Sequence, residues 1–195
     1  MKRKKSSHIE WLFKSMGDQA IENFKRDGYL LPIIHGVKKG KFVTIPFPHD
    51  SEEEKSKMMK VIAGTFAIHE IEEYIVVMET WISMDQDLRE KNMEPKDDPD
   101  RQSAIFLIYK SHDKQRARSI IVDPETKSII REQEMTNQIG AGGTFLNFLP
   151  PKGFKCPPQL EAAIHLYFKK HGIDMFQWKK MEGEADPSGL EPETK

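Results

Sequence analysis

Tyr74-Ile75-Val76-Val77-Met78-Glu79-Thr80-Trp81-Ile82 decides the fold. Apolar or β-forming side chains occupy both parities of this stretch, so both faces of the strand it forms need a cover. Ala104-Ile105-Phe106-Leu107-Ile108-Tyr109 has the same character. The two are read as central strands of one sheet. Outward on one side, residues 116–122 and 128–131 flank Asp123-Pro124-Glu125-Thr126, a strong turn signal. On the other, residues 29–37 and 42–47 flank a short basic link containing Gly40, which reads as a hairpin. Pro32 and Pro46 lack an amide donor and belong at strand ends or edges.

Helical periodicity appears in three other places. Ile9, Leu12, Phe13, Met16, Ala20, Ile21 and Phe24 recur at helical spacing behind Ser7-His8-Ile9-Glu10, a capping box, and stop at Gly28. Ser51-Glu52-Glu53-Glu54 is a second capping box, followed by Met58, Met59, Ile62, Phe66 and Ala67, a helix running to about His69. Pro157 and Pro158 suit the first turn of a last helix with Leu160, Ala163, Ile164, Tyr167 and Phe168 on its apolar side. Residues 145–149 read as a short strand, and 173–181 as one or two more helical turns. The resulting fold class is α+β: an antiparallel sheet of about five to six strands with helices mainly on one face, in the order α-β-β-α-β-β-β-(β)-α.

The chain has 195 residues, which fits one domain, and a net charge of -1. That near-neutrality excludes a strongly basic nucleic-acid arm as the main theme and a highly charged disordered chain. Yet residues 2–5 contribute +4, and five acids against one lysine give the stretch 182–195 a charge of -4. The organisation read from this is a basic tail at 1–6, a single α+β domain at 7–181 and a disordered acidic tail at 182–195. Cys156 is the single cysteine, so no intrachain disulfide forms. No apolar run reaches a membrane span, and the basic start lacks the apolar stretch of a signal peptide. The expected location is cytoplasmic, with no membrane partner.

Chemistry-bearing motifs are sparse. His69-Glu70-Ile71-Glu72-Glu73 lacks the second histidine of a zinc-protease helix and sits where a helix gives way to a strand, so it is read as a solvated helix end. Asp85, Asp87, Glu90, Asp97, Asp98 and Asp100 share one loop without the glycine that a calcium loop requires, and are read as solvated. Gly140, Gly142 and Gly143 do not open a helix and are not followed directly by lysine, so a loop that orders on binding is preferred to a phosphate cradle. Arg116 and Arg118 alternate on a strand and share one face; they are candidate basic contacts together with Lys4 and Lys5, or a charge guard on an edge strand. Glu79 lies on the same face as Ile75, Val77 and Trp81, where a carboxylate needs a partner or solvent. Arg101 is the expected partner, the two forming a structural ion pair or, with Trp81, one wall of a binding groove. The three tryptophans, Trp11, Trp81 and Trp178, are expected in the core.

Glu79-Thr80-Trp81, Pro99-Asp100-Arg101 and Ile105-Phe106-Leu107-Ile108 together resemble a pattern found in small uncharacterised bacterial and phage α+β proteins. The resemblance covers residues 73–110. It implies that Glu79, Trp81 and Arg101 act as a unit and that the source is prokaryotic or viral; it implies no activity. In that pattern an acid follows the arginine, whereas Gln102 and Ser103 stand here.

The functional expectation is a non-catalytic binding or accessory protein acting through protein–protein contacts, with self-association as one form of partner. No nucleophile–base pair, metal cluster or cofactor fingerprint stands out in the sequence, so no cofactor and no metal are expected. Two alternatives are a hydrolase with a site assembled around Glu79, Arg101 and His69, and a nucleic-acid accessory factor using the basic residues.

Overall fold

The computed structural model describes residues 8–48, 51–83, 98–136, 148–170 and 179–180. The helices are α1 (His8–Asp27), α2 (Glu52–Ile68) and α3 (Pro158–Lys170). The strands are β1 (Ile33–Lys38), β2 (Lys41–Pro46), β3 (Glu73–Ile82), β4 (Gln102–Ser111), β5 (Gln115–Asp123), β6 (Ser128–Thr136) and a two-residue β7 (Lys179–Lys180). They form one antiparallel sheet in the order β6-β5-β4-β3-β1-β2-β7. The α+β class and the element order follow the reading of the sequence. Lys179 and Lys180 pair with β2 instead of extending a helix. Within 145–149 the described Phe148 and Leu149 are not in a strand, and Phe148 is part of the core. The glycine-rich stretch with Gly140, Gly142 and Gly143, and both ends of the chain with Lys4 and Lys5, lie outside the described residues.

Local chemistry sets the element ends. Lys39 and Gly40 both take positive φ, 48° and 71°, the geometry of a two-residue turn whose twist matches the strands it joins. The Ser51 side chain accepts the Glu54 amide at 3.2 Å and caps α2. At the other end of α2 the Ile71 amide reaches back to the Phe66 carbonyl at 2.9 Å while Glu70 adopts φ 51°. Lys38 holds Glu70 in place at 2.7 Å.

The central strands are covered on both faces, as their double apolar parity requires. Ile75, Val77, Ile105, Leu107, Ile120 and Val122 lie beneath Leu12, Phe13, Ala20 and Phe24 of α1. Ile34, Val43, Ile45, Val76, Met78 and Ile108 face Ile62 and Phe66 of α2, with Tyr74 and Phe148 between. Each fully buried side chain of this size stabilises the fold by about 1.5–3 kcal/mol relative to its exposed state. The third helix packs onto α2, where a Cβ on Gly64 would overlap Ile164 Cδ1. Among the described residues, two of the three helices thus share one side and α1 closes the other. Among the described residues, no helix is long and apolar enough to cross a membrane.

Candidate functional site at one end of the sheet

The far ends of β3 and β4 meet the β5–β6 turn at a groove of 430 Å³. Trp81, Pro99, Arg101, Gln102, Ser103, Val122, Asp123, Pro124 and Ile130 line it. Its geometry begins at Asp98. This carboxylate is 5% exposed; it accepts the Asp100 amide at 2.8 Å and the Ser83 hydroxyl. The Asp98 carbonyl in turn accepts the Arg101 amide at 3.2 Å. Proline between the two aspartates fixes φ and helps the chain turn. The turn delivers the Arg101 guanidinium over the Trp81 ring, 4.9 Å from its centroid. Such a stack contributes about 0.5–1 kcal/mol at an exposed site. It also limits the rotamers of both side chains.

The opposite wall is a second turn. Asp123 accepts the amides of Glu125 at 2.9 Å and Thr126 at 3.3 Å, and the Thr126 hydroxyl at 2.7 Å. The Thr126 bonds, then the Glu125 bond, hold its carboxyl below the usual range. Asp123 is therefore committed to the turn. A bulge between Ile121 and Val122 pairs them with Arg131 and Ile129, which leaves Ile130 without an opposite residue. Ile130 is 61% exposed and Trp81 49%. The expectation that all three tryptophans build the core fails for Trp81 and also for Trp11, which is 40% exposed; Trp178 lies outside the described residues. Asp98, expected in a solvated loop, is instead the buried anchor of the turn.

Glu79, Trp81 and Arg101 do gather at this end of the sheet, but not as a Glu79–Arg101 ion pair. The Glu79 carboxylate accepts the Leu30 amide at 3.2 Å, so it ties the link after α1 to β3. Partial burial pushes its pKa up, and the Leu30 bond opposes that rise. Arg101 takes the indole and the Asp98 carbonyl, the latter at 3.3 Å.

His69 lies elsewhere. It is the C-terminal cap of α2, before β3 begins. Burial lowers its pKa, as do the nearby charges of His165 and Lys38, while Glu161 acts the other way. Glu79 lies on the α1 face, and six residues of strand, roughly 20 Å at 3.3 Å each, separate it from the start of β3. The hydrolase constellation of Glu79, Arg101 and His69 is not assembled.

Arg116 and Arg118 share a face, as the alternation requires, but β5 is interior and the edge strand is β6. Arg116 pairs with Glu134 and lies 5.3 Å from the Phe13 ring centroid. Arg118 binds Glu132 at 2.7 Å and Asp18 at 3.8 Å, with only 12% of its side chain exposed. Both guanidiniums are neutralised within the fold. Passage of Arg118 beneath α1 depends on Gly17, since a Cβ there would overlap its Nη1.

Sequence reasoning did not place Ile130 or Asp98 at this site, and it singled out Pro99 only within the Pro99-Asp100-Arg101 motif. The available signal was Asp98-Pro99-Asp100, where the first side chain can cap its own turn. Among the described residues the lining holds no histidine, cysteine or lysine; it offers an aromatic face, a guanidinium and apolar walls. Comparison of the chain with protein-family models, curated proteins and solved structures found no match.

Proposed function

We propose that this is a non-catalytic binding protein, acting through protein–protein contacts, and that the Trp81–Arg101 groove receives a segment of its partner. The observation that carries this reading is the half-exposed Trp81, held by the Arg101 stack at 4.9 Å beside a 430 Å³ groove. Tryptophan and arginine dominate the energetics of protein interfaces because they bury large area and still offer polar contact. A pair already ordered in the free protein loses little side-chain entropy when it binds. The groove reading is preferred to the hydrolase alternative because His69 lies at the opposite end of β3 from the groove, and to the nucleic-acid alternative because Arg116 and Arg118 already pair with Glu134 and Glu132.

A test is to pan a library of random linear peptides against the full chain and against Trp81→Ala. Families of peptides enriched on the full chain and lost on the variant are expected, with little change in the thermal midpoint of the variant. Peptides retained equally by both proteins, or no enrichment, would overturn the reading.

A further inference from the structure

The two edges of the sheet differ. The β2 edge is partly covered by β7, whereas β6 ends the sheet with no strand beyond it among the described residues. Its side chains from Ile130 to Glu134 are exposed one after another, hence on both faces. Among the described residues this edge is open, and an open edge of this length presents a row of backbone donors and acceptors to any extended chain. Ile130, which begins this exposed run, also lines the Trp81 groove.

The charges on β6 select against a second copy of the same strand. In an antiparallel pair, opposite residues point to the same face, so a symmetric pairing within the regular part of β6 must be centred on a residue. Centring on Arg131 places it against itself. Centring on Glu132 or Glu134 does the same for that glutamate. Centring on Gln133 sets Glu132 against Glu134. Each of these four registers opposes like charges, and centring on Met135 leaves only residues 134–136 of the strand to pair. The glutamates are held by Arg118 and Arg116 of β5, while Arg131 is exposed and has no ion pair among the described residues.

We infer that β6 accepts an extended segment of a different protein as an additional antiparallel strand, with an acidic side chain facing Arg131 and an apolar side chain reaching Ile130 and Trp81. This rests on the groove reading above, and names how the partner lies and what chemistry it carries. Backbone pairing along the edge supplies affinity. Arg131 and the groove supply register.

The peptides enriched in a Trp81-dependent way serve as probes on the full chain. N-methylation scanned along such a peptide should weaken binding at every second amide, since only alternate amides point toward β6. Arg131→Glu should switch the residue preferred opposite it from acidic to basic, and weaken the original peptide roughly tenfold. Trp81-dependent binders with no alternation in the scan, or with an acidic preference unmoved by Arg131→Glu, would overturn strand addition and leave the groove reading standing. Absence of any Trp81-dependent binder would remove both. A dimer in sedimentation that dissociates on Glu132→Lys would make a second copy the occupant and overturn the inference.

Discussion

Beneath α1 a charged seam crosses the apolar layer: Asp18, Arg118 and Glu132 in one line, Phe13, Arg116 and Glu134 in another. Beneath α2 there is no such seam among the described residues; the rings of Phe66, Tyr74 and Phe148 pack edge-on or tilted, with centroids 5.5–6.1 Å apart. One sheet is thus closed by two kinds of contact. Ring packing has no preferred partner and supplies bulk stability through buried area. A guanidinium under a helix adds little net energy, because desolvation offsets most of its attraction, but it fixes where α1 lies on β5.

The largest test of this contrast is Phe66→Ala. The side chain is fully buried between helix and sheet, and its loss should cost about 3–5 kcal/mol in urea denaturation. A loss below about 1 kcal/mol would show that the ring-filled side does not carry the stability assigned to it. Next is Gly64→Val, which should cost about 1–3 kcal/mol by pressing on Ile164, with part of the loss restored by Ile164→Ala in the same chain.

On the α1 side the expected effect is smaller and depends on background. Alanine at 17 gains about 1 kcal/mol of helix propensity but displaces Arg118 from Glu132, so Gly17→Ala alone should be near neutral. In an Arg118→Ala background the same change should stabilise by about 1 kcal/mol. Equal effects in the two backgrounds, measured as a double-mutant cycle, would break the idea that Arg118 sets the position of α1.

The smallest effects are in pH dependence, and their signs differ between the two sides. His69, on the α2 side, has its pKa lowered below 6.5 by burial and by the charges of His165 and Lys38. The unfolded chain then takes up the proton first, so stability falls as pH drops through 6.5. His69→Gln should flatten that slope. Glu79, on the α1 side, is raised above 4.5 by burial. Its contribution is complete below 4.5 and declines as pH rises through the folded value. Gln at 79 still accepts the Leu30 amide, so Glu79→Gln should raise the thermal midpoint slightly at pH 7 and leave it unchanged or lowered at pH 4.

The sheet was legible because its signal is local. Double apolar parity in β3 and β4, a hairpin link with glycine and two capping boxes each report on a few neighbouring residues. The candidate site was legible in part. Glu79, Trp81 and Arg101 come together at one end of the sheet, since strand parity places Glu79 and Trp81 on one face. What each of them touches was not legible. The Leu30 amide reaches Glu79 only because α1 ends at Gly28 and turns back toward β3. Arg101 meets Trp81 through a turn whose anchor, Asp98, looked like one more solvated acid. The glutamate partners of Arg116 and Arg118 stand on the next strand, and their register depends on a bulge that no local pattern in β6 announces.

Gly17 and Arg118 also bear on how this fold can change over time. A side chain larger than hydrogen at 17 meets a guanidinium that is already anchored, whereas shortening residue 118 frees the space. The order of substitutions is therefore asymmetric in its effect: growth at position 17 gains stability only after position 118 has shrunk. In descendants of this chain the two positions should vary together although they lie far apart in the sequence. A lineage that enlarged residue 17 first would have to give up the Arg118–Glu132 pair.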